Sequence, residues 1–293
     1  MATLTAAPRQ SHKYVTPTAP GSVTARVVGG VVIGVLFLLP YLVMLLGSFK
    51  SLAEVLRTPP TFIPEEWHLD NYVTMWAVTE TPLPDNLVSS LVISICATVL
   101  TLLVAVPAAY YTAKFKFPGR LAFLFLVLMT QMLQPAVVVV GLFKEFQALS
   151  LNGTWWAMIL VNSAFNLSFG TWILHSFFAS IPAEVDESAR LDGASNWQIL
   201  WRIDMPLVWP GVVTATIFTF TAAWNEFAAS LVLLSSSPTK QPLTVALTMF
   251  KGQYQTRWQY VFAVSVLAIV PAVALFAAIE KKLVAGLTAG SIK

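Results

Sequence analysis

Leu87-Val-Ser-Ser-Leu-Val-Ile-Ser-Ile-Cys-Ala-Thr-Val-Leu-Thr-Leu-Leu-Val-Ala-Val-Pro-Ala-Ala-Tyr-Tyr-Thr-Ala113 runs from end to end without an Asp, Glu, Lys or Arg. About 20 mostly apolar residues suffice for a helix to cross the hydrocarbon core of a bilayer, and this stretch exceeds that length. Five further apolar runs have comparable length: Val27–Gly47, Leu121–Leu142, Trp156–Phe178, Leu207–Leu234 and Trp258–Ile279. The fold expected is therefore an all-α integral membrane protein of about six spans. A transmembrane barrel would show weak alternating segments of about ten residues, and these runs are continuous. Val27–Gly47 is too long for the apolar core of a signal peptide and lacks a small-x-small cleavage site after it, so it reads as a retained first span.

The composition agrees. Of 293 residues, 57% are hydrophobic and 11% charged, against roughly 45–50% and 25% in soluble domains. A formal charge of +3, with its basic residues spread among loops, argues against a nucleic-acid partner. The single Cys96 lies within an apolar run, excludes an internal disulfide, and reads as a small core hydrophobe. No Gly-x-x-x-x-Gly-Lys-Ser/Thr loop occurs, so nothing here cradles a nucleotide phosphate. His12, His68 and His175 have no zinc-ligand spacing, and the chain reads as non-catalytic and without a metal site.

Residues 1–24, rich in Thr, Ala and Pro, read as a disordered tail, and 25–293 as the membrane domain. Placing both termini in the cytoplasm puts Arg9, Lys13, Arg26, Lys114, Lys116, Arg120, Arg190, Arg202, Lys281, Lys282 and Lys293 inside and six basic residues outside, the bias that positive-inside orientation requires. Two long loops then face out. The segment 50–86 is broken by Pro59, Pro60, Pro64, Pro82 and Pro84, with room for a short helix over Leu69–Ala77, and 235–257 is polar. Both read either as connectors or as docking surfaces for an external partner.

Between the fourth and fifth spans lies the loop 180–206, Ser-Ile-Pro-Ala-Glu-Val-Asp-Glu-Ser-Ala-Arg-Leu-Asp-Gly-Ala-Ser-Asn-Trp-Gln-Ile-Leu-Trp-Arg-Ile-Asp-Met-Pro. Pro182 suits a helix start, with Glu184, Asp186 and Glu187 at the positive end of its dipole. Gly193 suits its C-terminal cap. Ser195 and Gln198 have capping-box spacing for a second helix, which presents Trp197, Leu200 and Trp201 on one face and ends at Pro206.

This loop resembles the EAA loop of binding-protein-dependent ABC importer permeases: Glu-Ala-Ala, three residues, Gly, nine residues, Ile, any residue, Leu-Pro. Glu187, Ser188, Ala189, Gly193, Ile203, Met205 and Pro206 occupy the motif positions, with Ser188 and Met205 as departures. Leu69-Asp70-Asn71-Tyr72, Phe117-Pro118-Gly119, Trp224-Asn225-Glu226-Phe227 and Gly286-Leu287-Thr288-Ala289-Gly290 are similar to the sugar-importing branch, notably the second membrane subunit of maltose-type importers. Gly141 stands where that branch often has Pro.

The resemblance implies a type I importer permease in the bacterial inner membrane. Its partners would be a second homologous permease, two ATPase subunits or domains holding ATP and Mg, an extracytoplasmic solute-binding protein or lipoprotein, and the membrane lipids. It implies ATPase coupling through Glu187, Ser188, Ala189, Asp192, Gly193, Ile203 and Pro206, and a sugar or polyol as solute. The tail 286–293 reads equally as a docking element or a frayed end. Trp224, Asn225 and Glu226 either line the solute path or, for Glu226, form a structural hydrogen bond to the neighbouring permease. Gln131, Gln134, Asn162 and Asn166 read as interhelical glue, and Pro107, Pro135 and Pro271 as bends. An ion-coupled secondary transporter or a membrane scaffold is the alternative.

Overall fold

The computed structural model describes residues 20–77, 83–252 and 255–289. Four helices among them are long and apolar enough to span a membrane: Thr24–Gly47, Leu83–Lys114, Trp155–Ala179 and Trp258–Ala278. Counting each of two bent pairs as one span gives up to six: Arg120–Thr130 with Pro135–Ala148, at 95°, and Asn196–Leu207 with Trp209–Trp224, at 79°. We number the spans one to six in chain order and take the fifth as Trp209–Trp224 continued by Ala228–Leu233. The charged stretch Asn196–Leu207 belongs to the loop that enters it.

Several boundaries differ from the sequence reading. The first helix begins at Pro20, inside the expected tail, because a proline suits the first turn; residues 1–19 lie outside the described residues. The third span is two helices. Gln131–Gln134 interrupt it and Pro135 opens the second piece, since proline can neither donate to the preceding turn nor fit against it. The last helix runs to Ala289, and 290–293 lie outside the described residues.

The second and fourth spans form the central post. Ala97, Thr98, Thr101, Ala105 and Ala109 recur at helical spacing and are buried, as are Ala157, Val161, Ser168, Gly170 and Leu174 opposite them. Small side chains let two backbones approach, and their hydroxyls satisfy themselves on nearby carbonyls. Ser163 Oγ donates to Ile159 O at 2.6 Å and across to Ala97 O at 3.2 Å, and Thr130 hydrogen-bonds Ser168 from the third span. Asn162 and Asn166 instead bond within their own helix, to Met158 O and Asn162 O, because a short amide reaches the carbonyl one turn back more easily than a neighbouring helix. The fifth span closes on this post at Gly211, where a Cβ would sit 2.5 Å from the Phe177 ring. Cys96 is exposed on the outer face of the second span, so it lies against lipid or a partner rather than in the core.

At the end away from the loop 180–206, the connections are packed. Asn71 Nδ2 donates to Ser48 O and Lys50 O, both at 2.9 Å, and begins a short helix Asn71–Thr74. Asn86 Nδ2 donates to Pro238 O and Gln241 O, and Leu243 N donates to Ser90 Oγ at 2.7 Å. The polar segment 235–257 is thereby folded onto the second span, with Leu243, Val245, Ala246 and Phe250 buried.

Candidate functional site

The loop 180–206 folds into a helix, a tight turn and a second, shorter helical stretch. Ala183–Leu191 carries Glu184 and Asp186 in its first turn and Arg190 in its last, each at the end of the helix dipole that favours it. Its C-terminus is a Schellman arrangement: Gly193 N donates to Arg190 O, and Ala194 N to Ala189 O, both at 3.0 Å. That closure needs a left-handed residue, and Gly193 has φ +85°. A Cβ there would meet nothing within 4 Å, so the backbone conformation demands the glycine while the space around it stays open. Ser195 and Gln198 form the reciprocal capping box. The chain then takes a π-helical turn over Ile199–Asp204. Pro206 has no N–H for the ladder and crowds the carbonyl four residues back; such turns recur at functional sites.

The expected coupling residues divide by face. Glu187, Ser188, Asp192 and Gly193 are exposed, Pro206 is exposed, Ile203 is half-buried and Ala189 is buried. Inward, Leu200 and Val208 join one apolar cluster with Ala109, Tyr110, Leu174, Phe178 and Val212, so the loop is continuous with the spans. Trp197 and Trp201, placed beside Leu200 by the helical reading, point outward and meet edge to face at 5.5 Å; the π turn shifts the register.

What holds the loop down was not visible in the sequence. Lys114, the last residue of the second span, sits 2.9 Å from Asp186 and 3.7 Å from Asp204, and all three side chains are buried. One cation from a span thus joins a carboxylate from each half of the loop. Burial pushes the Asp204 carboxyl up to about 6, with Lys114 opposing and Asp186 reinforcing the shift. Arg190 adds a second tie, its guanidinium 5.7 Å above the Phe115 ring. Beside the cluster, Lys114, Glu184, Asp186, Glu187 and Arg190 line a cleft of about 620 Å³ that opens at the loop surface. The sequence signal was a pair of charges, Arg202 and Asp204, interrupting the otherwise largely apolar Ile199–Val208.

The second candidate group is dispersed by its own hydrogen bonds. Trp224 is buried, and its Nε1 donates to Ala268 O in the sixth span at 3.0 Å. Asn225 is exposed. The Glu226 carboxylate turns onto its own chain: one oxygen accepts from Ala229 N at 2.7 Å, the other from Ser230 N at 3.0 Å and Ser230 Oγ at 2.6 Å. It therefore caps the second half of the broken fifth span, where unsatisfied N–H groups would be costly in lipid. Thr244 Oγ1 donates to the Glu226 carbonyl at 2.8 Å and fixes the break. Trp224 and Asn225 line an apolar cavity of about 760 Å³ with Tyr41 and Ile269; Glu226 is not in its wall.

Residues 105–287 match the model of a family described as the binding-protein-dependent transport system inner membrane component. The chain belongs to this family. It is a multi-pass permease component of an ATP-driven, binding-protein-dependent importer. Among relatives of this permease, the sulfoquinovosyl glycerol transport system permease protein SmoH of Agrobacterium fabrum is 34% identical, over 87% of this chain and 89% of that one. The trehalose/maltose transport system permease protein MalG of Thermococcus litoralis is 31% identical over 91% and 95%. The fold matches a chain of a bacterial ABC transporter that imports the acidic polysaccharide alginate, with TM-score 0.74, 23% identity and coverage of 91% and 99%.

Proposed function

We propose that this permease forms half of the translocation path for a sugar or sugar derivative, and that the exposed side of the loop 180–206 receives a separate ATPase subunit. The observation that carries the coupling role is the Lys114–Asp186–Asp204 cluster, which joins the loop to the second span, so that a push on the loop moves the central post as one body. Transmission of that kind suits alternating access between discrete packings. Glu187, Ser188, Asp192 and Gly193 form the approach surface, with open space above Gly193. Ala189 and Ile203 shape the turn from within, and the exposed Pro206 sets the π-helical turn before the fifth span. ATP and Mg belong to the partner ATPase. The loop side is the cytoplasmic side, with both termini there, and the packed loops on the other side face a solute-binding protein. A second homologous permease completes the path.

The sugar reading draws on the relatives, which include permeases for sulfoquinovosyl glycerol and for trehalose and maltose. Trp224 and Asn225 are the residues of this chain we assign to the solute path, an aromatic ring and an amide beside an open cavity. Glu226 supports them by holding the break in the fifth span.

Uptake of labelled sugars into vesicles containing the co-purified transporter tests this reading. ATP-dependent uptake that requires a binding protein supports it, and uptake driven by an ion gradient alone sinks it. The docking role has its own test. Glu187→Arg and Gly193→Trp should abolish capture of the ATPase subunit while leaving the chain folded in the membrane, and undiminished capture with normal uptake rejects the assignment.

A further inference from the structure

The loop-side end of the third span carries a cavity of about 610 Å³ that the transport reading leaves unused. Its mouth is formed by Lys116 and Arg120, and its wall runs along Leu121, Leu124, Trp172 and His175. Among the described residues neither Lys116 nor Arg120 has a carboxylate within ion-pair distance. This contrasts with Lys114, two residues before Lys116, which has two. Arg120 also stands in the first turn of Arg120–Thr130, a turn without an acidic residue, where the helix dipole disfavours a cation. Two uncompensated positive charges therefore sit at the rim of an apolar slot, at the depth where the second span ends.

The geometry points to an anionic phospholipid of the loop-side leaflet as the occupant, its phosphate between Lys116 and Arg120 and its acyl chain along Leu121 and Leu124. Three features select a lipid over a soluble anion. The slot is lined mainly by carbon and continues along the span to Phe125 and Leu128, which a free phosphate would leave unfilled. Trp172 is exposed in the wall of the slot, and indole rings favour the interfacial region of a bilayer. Basic pockets between spans on the cytoplasmic side are a recurrent setting for anionic headgroups. The guanidinium of Arg120 offers paired donors to phosphate oxygens, whereas Lys116 acts as a point charge. His175 is set by Thr112, whose Oγ1 lies 3.1 Å from Nδ1, leaving Nε2 for the slot.

The test is lipid retention by the intact transporter, read by native mass spectrometry after exchange into detergent from bilayers of equal phosphatidylglycerol and phosphatidylcholine. Wild type should retain phosphatidylglycerol preferentially, and Lys116→Gln/Arg120→Gln should lose at least tenfold of that preference without losing the assembled complex. Leu121→Trp, which fills the slot and keeps both cations, should also displace the lipid. Inorganic phosphate at millimolar concentration should fail to compete. Equal retention in the double variant, or displacement by inorganic phosphate alone, overturns the proposal. So does a photo-crosslinker at position 121 that captures another protein subunit rather than lipid. The readout needs no solute, so transport can fail while lipid binding stands, and the reverse.

Discussion

Glu226 and the pair Asp186 and Asp204 are carboxylates drawn in from solvent, yet the chain answers their charges by opposite means. Glu226 is answered within four residues, by two backbone N–H groups and a hydroxyl of the segment it starts. Asp186 and Asp204 share one ammonium from the far end of another span. A local solution fixes a local shape, here a break in the fifth span. A long-range solution fixes the relation between two bodies, and that relation is what a coupling element must transmit. The cost of failure differs accordingly, because a buried charge stripped of its partner has no solvent to fall back on.

The sharpest way to break the comparison is Lys114→Met. It leaves two buried carboxylates without their shared cation and should cost about 3–5 kcal/mol, seen as loss of folded protein or a large drop in melting temperature in detergent. Lys114→Met combined with Asp186→Leu and Asp204→Leu should recover most of that loss, since an apolar replacement of the whole cluster removes the uncompensated charge. If the triple variant melts no higher than the single one, the cluster is not the cause.

Glu226→Ala should cost about 1–3 kcal/mol, the loss of a cap plus its unsatisfied donors, and Glu226→Gln should recover part of it. The readout is thermal melting with solute affinity measured alongside. An unchanged melt with weakened solute affinity would move Glu226 from capping to the solute path.

Gly193→Ala should cost about 1–2 kcal/mol of loop stability from its left-handed backbone alone, because the added methyl has open space. Gly193→Asn should cost less. Protease protection of the loop would report both, and equal protection in wild type and Gly193→Ala would show that the closure does not need glycine.

The smallest effect is in pH. With its carboxyl raised to about 6 from a usual 3.8, the folded loop keeps a proton on Asp204 that the unfolded chain has already released between those values. The native state is therefore favoured on the acid side and loses that contribution as pH rises through about 6. Wild type should melt higher at pH 5 than at pH 7.5 relative to Asp204→Asn, by an amount on the order of 1 kcal/mol, or about 2–4 °C. Parallel melting profiles for the two proteins would remove Asp204 from the account.

Much of this was legible beforehand, for a physical reason. Hydropathy sets which segments enter a bilayer, and the apolar runs 87–113, 156–178 and 258–279 each fall inside one continuous helix, Leu83–Lys114, Trp155–Ala179 and Trp258–Ala289. Capping is equally local: Pro182, Gly193, Ser195 and Gln198 act on backbone groups within a few residues, so their spacing alone predicted the helix, the stop and the restart. Hydropathy said nothing of placement within the bundle. The window in Thr24–Gly47 has mean hydropathy 2.5 and is 0% buried by the chain itself, while that of Trp155–Ala179 has 1.4 and is 56% buried. Oily surface is content in lipid, and small or hydroxyl-bearing surface is what lets helices close on each other.

The sequence by itself determined that this is a membrane-spanning chain, where its loop turns, and which permease family it resembles, because those depend on composition and near-neighbour spacing. Only the tertiary structure decided that Lys114 finds Asp186 and Asp204, that Trp224 reaches across to Ala268, that Glu226 turns back on its own helix, and that Lys116 and Arg120 stand over an open slot. A charge read along the chain carries a sign and a position, but its partner is set by how the spans pack.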